Sequence, residues 1–292
     1  MDKKILSRSI RKASESSFGR SGKEWSCLSL DAAKHIAADF GCSIRLVEIT
    51  ALEEKIIPSR YSRSIGTIGI AGQLRLLKSA VGIVGAGGLG GFVIELLARM
   101  GIGRLTVIDD DSFSESNLNR QLLSLENNLG DVKVNIAVKR IYEVNSAVEM
   151  KVYCCRGETG NLRDLLRGCD LVIDCLDNLP SRFALEFACS QLGLSLVHGA
   201  IAGFLGQVAV IRPDKPLLQF VYGRRDGNNA ERGVETELGN PAFTPAMLAS
   251  VQAAEAVKYL AGLDGVLPPN CLLIVDLQAG EIYRIEVGDS SH

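Results

Sequence analysis

Three separated stretches of the chain carry glycines and side chains whose spacing suits the handling of phosphate. Gly85-Ala86-Gly87-Gly88-Leu89-Gly90 fits the pattern G-x-G-x-x-G, between one apolar run that reads as a strand and another that reads as a helix. Glycines there let the backbone turn tightly and approach phosphate. The start of the helix adds unpaired N–H groups and the positive end of its dipole. Asp109-Asp110-Asp111 closes the next strand, about 20 residues on, where an acidic side chain accepts hydrogen bonds from ribose hydroxyls. Asp109 is placed for that contact, with Asp111 beside it. On these residues alone the ligand is an adenosine-type nucleotide, and an NAD-dependent oxidoreductase is the default reading. The blander alternative is that the glycines only pack a helix on a strand.

The polar residues that follow shift the balance toward a triphosphate. Ser116-Asn117-Leu118-Asn119-Arg120-Gln121 comes soon after the acidic strand, then Gly130-Asp131-Val132-Lys133, and a later strand runs into Asp174-Cys175-Leu176-Asp177-Asn178. The carboxyl ends of strands in an open α/β sheet are where ligands bind. A glycine turn and a helix end suffice for a dinucleotide's pyrophosphate, whereas ATP carries roughly twice that charge and calls for fixed cations. Each charge-assisted hydrogen bond from Arg or Lys contributes about 1.5–3 kcal/mol. Arg120 and Lys133 supply such a clamp, Asn117 bridges phosphate and backbone, and Asp177, with Asn178 next to it, holds Mg2+ on the phosphates. Taken singly, Arg120 and Lys133 read as solvated charges and Asp177-Asn178 as a helix cap; the combination reads as a site. An oxidoreductase would instead want a general acid or base, usually His. The histidines here, His35, His198 and His292, have no evident carboxylate partner in the sequence.

Composition and pattern describe the frame that must hold these residues. A chain of 292 residues that is 47% hydrophobic and 23% charged has enough material for one large α/β core. The net charge of −2 gives no general attraction to nucleic acid or to anionic lipid. Eight cysteines without a single C-x-x-C pair read as reduced thiols of a cytoplasmic protein and argue against a structural zinc site. The basic, Ser-rich start lacks the apolar region of a secretory signal. The apolar run from Ser79 to Ile94 is too short for a membrane span and holds six glycines, so it reads as a buried strand and turn.

Residues 1–59 read as a small N-terminal appendage: a polar, mobile start of about twenty residues, a short helix over Ser29–Gly41, and an extended segment over Ser43–Ile49. Residues 60–292 read as the nucleotide-binding domain, entered through a linking helix around Gly72–Lys78. From Val81 onward, strand and helix alternate as far as Pro213. A polar, Gly-rich loop follows over Asp214–Asn240, then a late helix and a terminal hairpin. The expected fold is α/β, Rossmann-like and doubly wound, with a mostly parallel sheet and a C-terminal antiparallel extension.

In order and spacing, the segments RYSR, GAGGLG, DDDSFSESNLNRQ, GDVK, DCLDN, HGAIAGFLGQV and QAAEAVK, between Arg60 and Lys258, resemble the ThiF/MoeB/HesA family, the prokaryotic relatives of ubiquitin-activating enzymes. The resemblance implies an adenylyltransferase that uses ATP and Mg2+. Gly85, Gly87, Gly88 and Gly90 would line the phosphates, Asp109 would hold the ribose, Asn117, Arg120 and Lys133 would contact phosphate, and Asp177 would help bind Mg2+. It further implies a homodimer in which Arg63, the second arginine of R-Y-x-R, reaches into the partner's site. The substrate would be a ubiquitin-like sulfur-carrier protein of the ThiS/MoaD type ending in Gly-Gly, serving thiamine, molybdopterin or related synthesis.

The chain also departs from that pattern. Many members carry two C-x-x-C pairs for zinc; here LLQFVYG stands in place of the first, and only Cys271 lies near the C-terminus. The segment around Leu217–Tyr222 is expected to replace the metal by packing. Many members also carry a cysteine in the crossover loop, but none occurs between His198 and Asn270. Cys154, Cys155, Cys169 and Cys175 read as small buried thiols. Adenylation is therefore expected, and thioester formation by this chain is not. The competing readings are adenylation of another carboxylate, as in relatives that modify a tRNA base, an NAD-dependent oxidoreductase, and a catalytically silent partner subunit.

Overall fold

The computed structural model describes residues 2–18, 24–223 and 238–287. Eight strands form the main sheet: β4 (Ala80–Val84), β5 (Arg104–Ile108), β6 (Glu149–Tyr153), β7 (Leu171–Asp174), β8 (Leu196–Ala202), β9 (Leu205–Ile211), β10 (Cys271–Asp276) and β11 (Glu281–Glu286). Their spatial order is β11-β10-β9-β8-β7-β4-β5-β6. The five strands from β6 to β8 are parallel, and the pairs β8–β9, β9–β10 and β10–β11 are antiparallel. The chain winds outward from β4 to β6 and then returns to the other side of β4 with β7. That reversal is the topological switch point of a doubly wound sheet, where ligands bind outside the carboxyl ends of the strands.

Every residue of β4 and β7 is buried, as expected of parallel strands covered on both faces. One face packs against α5 (Gly88–Met100), α6 (Lys133–Val144) and α10 (Phe243–Ala261), through Val93, Leu97, Ala137, Ile141, Leu248 and Ala256. The opposite face is covered by α7 (Leu162–Leu165), α8 (Leu179–Leu192) and α9 (Leu218–Tyr222), through Leu162, Leu185 and Leu218. The expected packing role of Leu217–Tyr222 is visible here: Leu217 and Leu218 are buried in this second core.

The N-terminal region departs from two expectations. Lys3–Ala13, read as the start of a mobile segment, is helix α1. Its Leu6 and Ile10 lie four apart on one face and are fully buried, while Lys3 and Arg11 pair with Glu53 and Glu54. Ser43–Ile49, read as extended, belongs to helix α3 (Ile44–Glu53), because Ser43 caps it by accepting the Leu46 N–H and its apolar residues Val47 and Ala51 recur at helical spacing. The expected helix over Ser29–Gly41 is α2 (Leu30–Phe40), closed by Gly41 in the left-handed conformation. A small sheet, β1 (Glu15–Phe18), β2 (Glu24–Leu28) and β3 (Ile57–Pro58), completes this layer. The linking helix, α4 (Ile65–Lys78), starts seven residues earlier than expected and kinks at Gly69, whose φ is 68°.

A buried polar knot joins the two parts. The Tyr61 hydroxyl donates to Glu48 (3.1 Å) and accepts from Asn145 (3.0 Å), and Arg60 pairs with Glu48 (3.1 Å). Burial pushes the Tyr61 phenol and the Glu48 carboxyl up, the latter against the pull of Arg60.

Candidate functional site

The glycines at the end of β4 divide into two kinds. Gly85 has a φ of 97°, and a Cβ there would stand 2.5 Å from the Cys175 carbonyl oxygen; a Cβ on Gly90 would stand 1.9 Å from the Gly85 carbonyl oxygen. These two let turn, helix and β7 touch. Gly87 and Gly88 are not clamped in this way: the nearest atoms to a Cβ would be side chains at ordinary contact distance, the Gln121 amide at 3.6 Å and Pro245 at 3.6 Å, with the Arg120 side chain at 3.8 Å. Gly87 is the N-cap of α5 and brings no side chain to its first N–H groups, so an anion in front of the turn meets them directly.

Acidic and basic groups converge on the same turn. Asp109 Oδ2 accepts the Ala86 N–H (2.6 Å) and Oδ1 the Asp111 N–H (2.9 Å). An ionised carboxylate has about four acceptor positions, so these bonds leave room for hydroxyls. Burial raises the Asp109 carboxyl, with the Ala86 N–H and the Lys133 charge opposing. Lys133 starts α6 with only 6% of its side chain exposed, and its Nζ lies 2.8 Å from Asp111 Oδ2. Asn117 is buried, and its Oδ1 accepts the Ser114 N–H (2.9 Å), closing the short turn that aims the next residues. Arg120 Nη1 donates to the Ser116 carbonyl and to Asn119 Oδ1, both at 2.9 Å, leaving other guanidinium donors for a ligand.

Asp177 is exposed two residues beyond Cys175, whose carbonyl meets Gly85. Asn178 is occupied within the fold. Its Oδ1 accepts the Ser181 N–H (2.9 Å) and caps α8, while its Nδ2 reaches Asp177 Oδ1 at 3.3 Å. Contacts thus link the phosphate turn to Arg120 through Gly88 and to Asp109 through Ala86, and Asp109 through Asp111 to Lys133, while Asp177 stands exposed beyond β7. Arg63 is not among them. It stands exposed on the turn before α4 and forms no ion pair among the described residues.

Two features escaped the sequence. Gln121 is buried with its amide toward Gly87, and its Oε1 has no partner among the described residues. His198, expected to lack a carboxylate, holds Asp174: Nδ1 lies 2.7 Å from Asp174 Oδ2, and both side chains are fully buried. Pairing LVID with LVH as adjacent parallel strands would have found it, since Asp174 and His198 are register partners. His35 also has a partner, Asp31, one helical turn away at 3.3 Å; His292 lies outside the described residues. Because His198 Nε2 meets the Tyr222 hydroxyl at 3.0 Å, neither ring nitrogen is open to a substrate, and the oxidoreductase reading gains no general base. Among the cysteines, burial pushes the thiols of Cys169 and Cys175 up, whereas Cys154, expected to be buried, is exposed just past β6.

A glycine turn at a helix start, the cations of Arg120 and Lys133 and the orphaned Gln121 oxygen suit a nucleoside triphosphate, and the exposed Asp177 carboxylate offers oxygen to a divalent cation, a hard ion that prefers such ligands. The family model described as the ThiF family matches residues 61–291. A SAMP-activating enzyme E1 of Haloferax volcanii is 37% identical over 205 residues, covering 69% of this chain and 75% of the relative. A sulfur carrier protein adenylyltransferase of Thermus thermophilus is 36% identical over 228 residues, covering 75% and 84%. Among solved structures, E. coli MccB with ATP superposes with a TM-score of 0.68 at 20% identity, covering 88% of this chain and 79% of that one, which speaks for the fold.

Proposed function

The chain belongs to the ThiF family and is an adenylyltransferase, and from that premise we propose that it adenylates the C-terminal glycine carboxylate of a small ubiquitin-like sulfur carrier of the ThiS/MoaD type. The observation that best supports this reading is Arg120 beside Gly88 at the phosphate turn, with Lys133 paired to Asp111 next to the Asp109 carboxylate that meets the same turn. The names of the Haloferax and Thermus relatives support the class of substrate.

In the proposed reaction a carrier carboxylate oxygen attacks the α-phosphorus of ATP. A C–O–P bond forms, the bond from the α-phosphorus to the bridging oxygen breaks, and pyrophosphate leaves with that oxygen. The chain's own part is to position and neutralise. The N–H groups at the start of α5 and the cations of Arg120 and Lys133 take the charge that builds on the phosphates, and Asp109 orients the ribose. Mg2+, held by Asp177, would lower phosphate repulsion. The expectation of a homodimer, with Arg63 completing the partner's site, is supported by the exposure of Arg63 and by the exposed leucines Leu122, Leu125 and Leu129 beside the NLNRQ segment. With no cysteine between His198 and Asn270, the acyl-adenylate is the end product, passed to a separate sulfur donor. The thiol inventory suits the cytoplasm, and no helix among the described residues is long and apolar enough to cross a membrane.

The test is exchange of radiolabelled pyrophosphate into ATP with a panel of carrier proteins ending in Gly-Gly. Exchange with at least one carrier is expected. Exchange with none, together with tight NAD binding, would return the chain to the oxidoreductase reading.

A further inference from the structure

The stretch from Arg120 to Leu123 lies along the first turn of α5. A Cβ on Gly88 would stand 3.8 Å from Arg120 Cγ, one on Gly87 3.6 Å from Gln121 Nε2, and one on Gly91 3.5 Å from Leu123 Cγ. Backbone bonds hold this alignment: the Gln121 N–H is given to the Asn117 carbonyl (2.9 Å), and the Gln121 carbonyl accepts the Ser124 N–H (3.0 Å). The side chain of Gln121, only 6% exposed, is thus packed with its amide against the N-cap of α5.

That amide has no bonding partner among the described residues. Its Oε1 is shut off from water without a donor, and its Nε2 meets no acceptor. Burying an amide in this way costs stability, and an apolar side chain of the same length would pack there without the loss. The end of the amide that can still bond is the one toward Gly87. On that side the glycine N-cap brings no side chain to the first N–H groups of α5, and the Ala86 N–H is already given to Asp109 (2.6 Å). An anion seated before Gly87 and Gly88 meets the helix N–H groups end-on and the Gln121 amide from the side. Reversing the amide would bury two donors in place of one acceptor and turn an oxygen toward the anion, so the nitrogen belongs on the side of the turn.

We propose that Gln121 is a nucleotide-contacting residue whose side-chain N–H donates to a phosphate oxygen held against Gly87 and Gly88, a role that rests on the adenylation reading. Arg120 and Lys133 attract the phosphates by charge. Gln121 is neutral and adds a directed bond, which fixes where one phosphate sits once it has arrived.

The test uses the full chain, with Mg2+ and α,β-methylene ATP as the probe in calorimetric titrations, beside the melting temperature without the probe. Gln121→Met keeps the length and removes both polar ends. It is expected to leave the melting temperature unchanged or higher, because an unmet group is gone, and to weaken the probe about tenfold or more. Gln121→Glu keeps the shape and sets a carboxylate against the phosphates, so it should weaken the probe at least as much. If the amide served packing alone, Gln121→Glu would bind as wild type does. Affinity within about threefold of wild type for either variant overturns the proposal. Should Gln121→Met fail to fold, NMR of the wild-type chain carries the measurement. The Gln121 side-chain amide signals, identified by their absence from Gln121→Glu, should move and exchange more slowly with water when the probe is saturating; signals that stay in place overturn the contact. Wild-type chain that does not bind the probe overturns the adenylation reading, whereas wild-type binding matched by Gln121→Met overturns the Gln121 contact alone.

Discussion

Lys133 begins α6, so its ammonium stands near the positive end of a helix dipole, and its side chain is almost wholly withdrawn from water. Asp111, its one carboxylate partner among the described residues, is mostly exposed, and pairs of that kind contribute about 0–1 kcal/mol. On the adenylation reading, a cation kept there at little gain in stability serves the nucleotide. Lys133→Met should therefore leave the melting temperature of the free chain unchanged or slightly higher. The same change should lower kcat/KM for pyrophosphate exchange about 10- to 100-fold, the equivalent of one charge-assisted bond. A large fall in melting temperature with intact exchange would show the reverse assignment. The nearness of Asp109, Arg120 and Lys133 to the phosphate turn was legible in the sequence because all three lie in the one connection that leaves the carboxyl end of β5, the edge where a doubly wound sheet brings such residues together. The Asp174–His198 pair was not legible in the same way. It depends on which strands become neighbours, and no spacing along the chain states that.

At the scale of elements, the two kinds of glycine predict opposite phenotypes. In Gly90→Ala the new methyl meets the Gly85 carbonyl, a rigid backbone atom, at 1.9 Å. The strand–turn–helix unit must open, at a cost of about 3 kcal/mol or more. Gly88→Ala places its methyl at ordinary contact distance from Pro245 and Arg120 and inside a helix, so the chain should fold with a near-normal melting temperature yet bind ATP more weakly. Calorimetry beside an ATP titration separates them, and equal melting temperatures for the two variants would refute the division. Sequence pattern marked all four glycines alike, since it could not say which faced packing and which faced ligand. It also misread α1, where dense charge hid Leu6 and Ile10, and α3, where β-branched residues mimicked a strand.

The joint between α5 and α6 makes a pH prediction at this same scale. Burial pushes Glu95 up, but Arg140 and Arg99 together hold its carboxyl below the ordinary range. A carboxylate lowered in the folded state adds stability that is present above its unfolded value and lost as pH falls through the folded one. Glu95→Gln should thus cost about 1–2 kcal/mol at neutral pH. That difference should hold down to about pH 5 and shrink below about pH 4. Denaturant midpoints of the two chains across this range provide the check, and a gap that widened on acidification would be the wrong sign.

Over the whole molecule, the polar knot of Arg60, Tyr61, Glu48 and Asn145 has a consequence for Arg63. It pins the start of the R-Y-x-R segment to both the N-terminal layer and the nucleotide domain, so Arg63, just beyond it, is carried outward by two anchored parts. An exposed arginine presented by a rigid joint suits service to a neighbouring copy. A twofold dimer places any such contribution in both sites at once. Arg63→Ala and Asp177→Ala homodimers should each have lost nearly all exchange. In a mixed dimer, the site built on the Arg63→Ala chain has its own Asp177 and borrows Arg63 from the other chain, so it is whole; the second site lacks both. Random equal mixing then makes half the dimers mixed with one working site each, restoring roughly a quarter of wild-type activity. If Arg63 served its own chain's site, every site in the mixture would lack one residue or the other, and mixing would restore nothing.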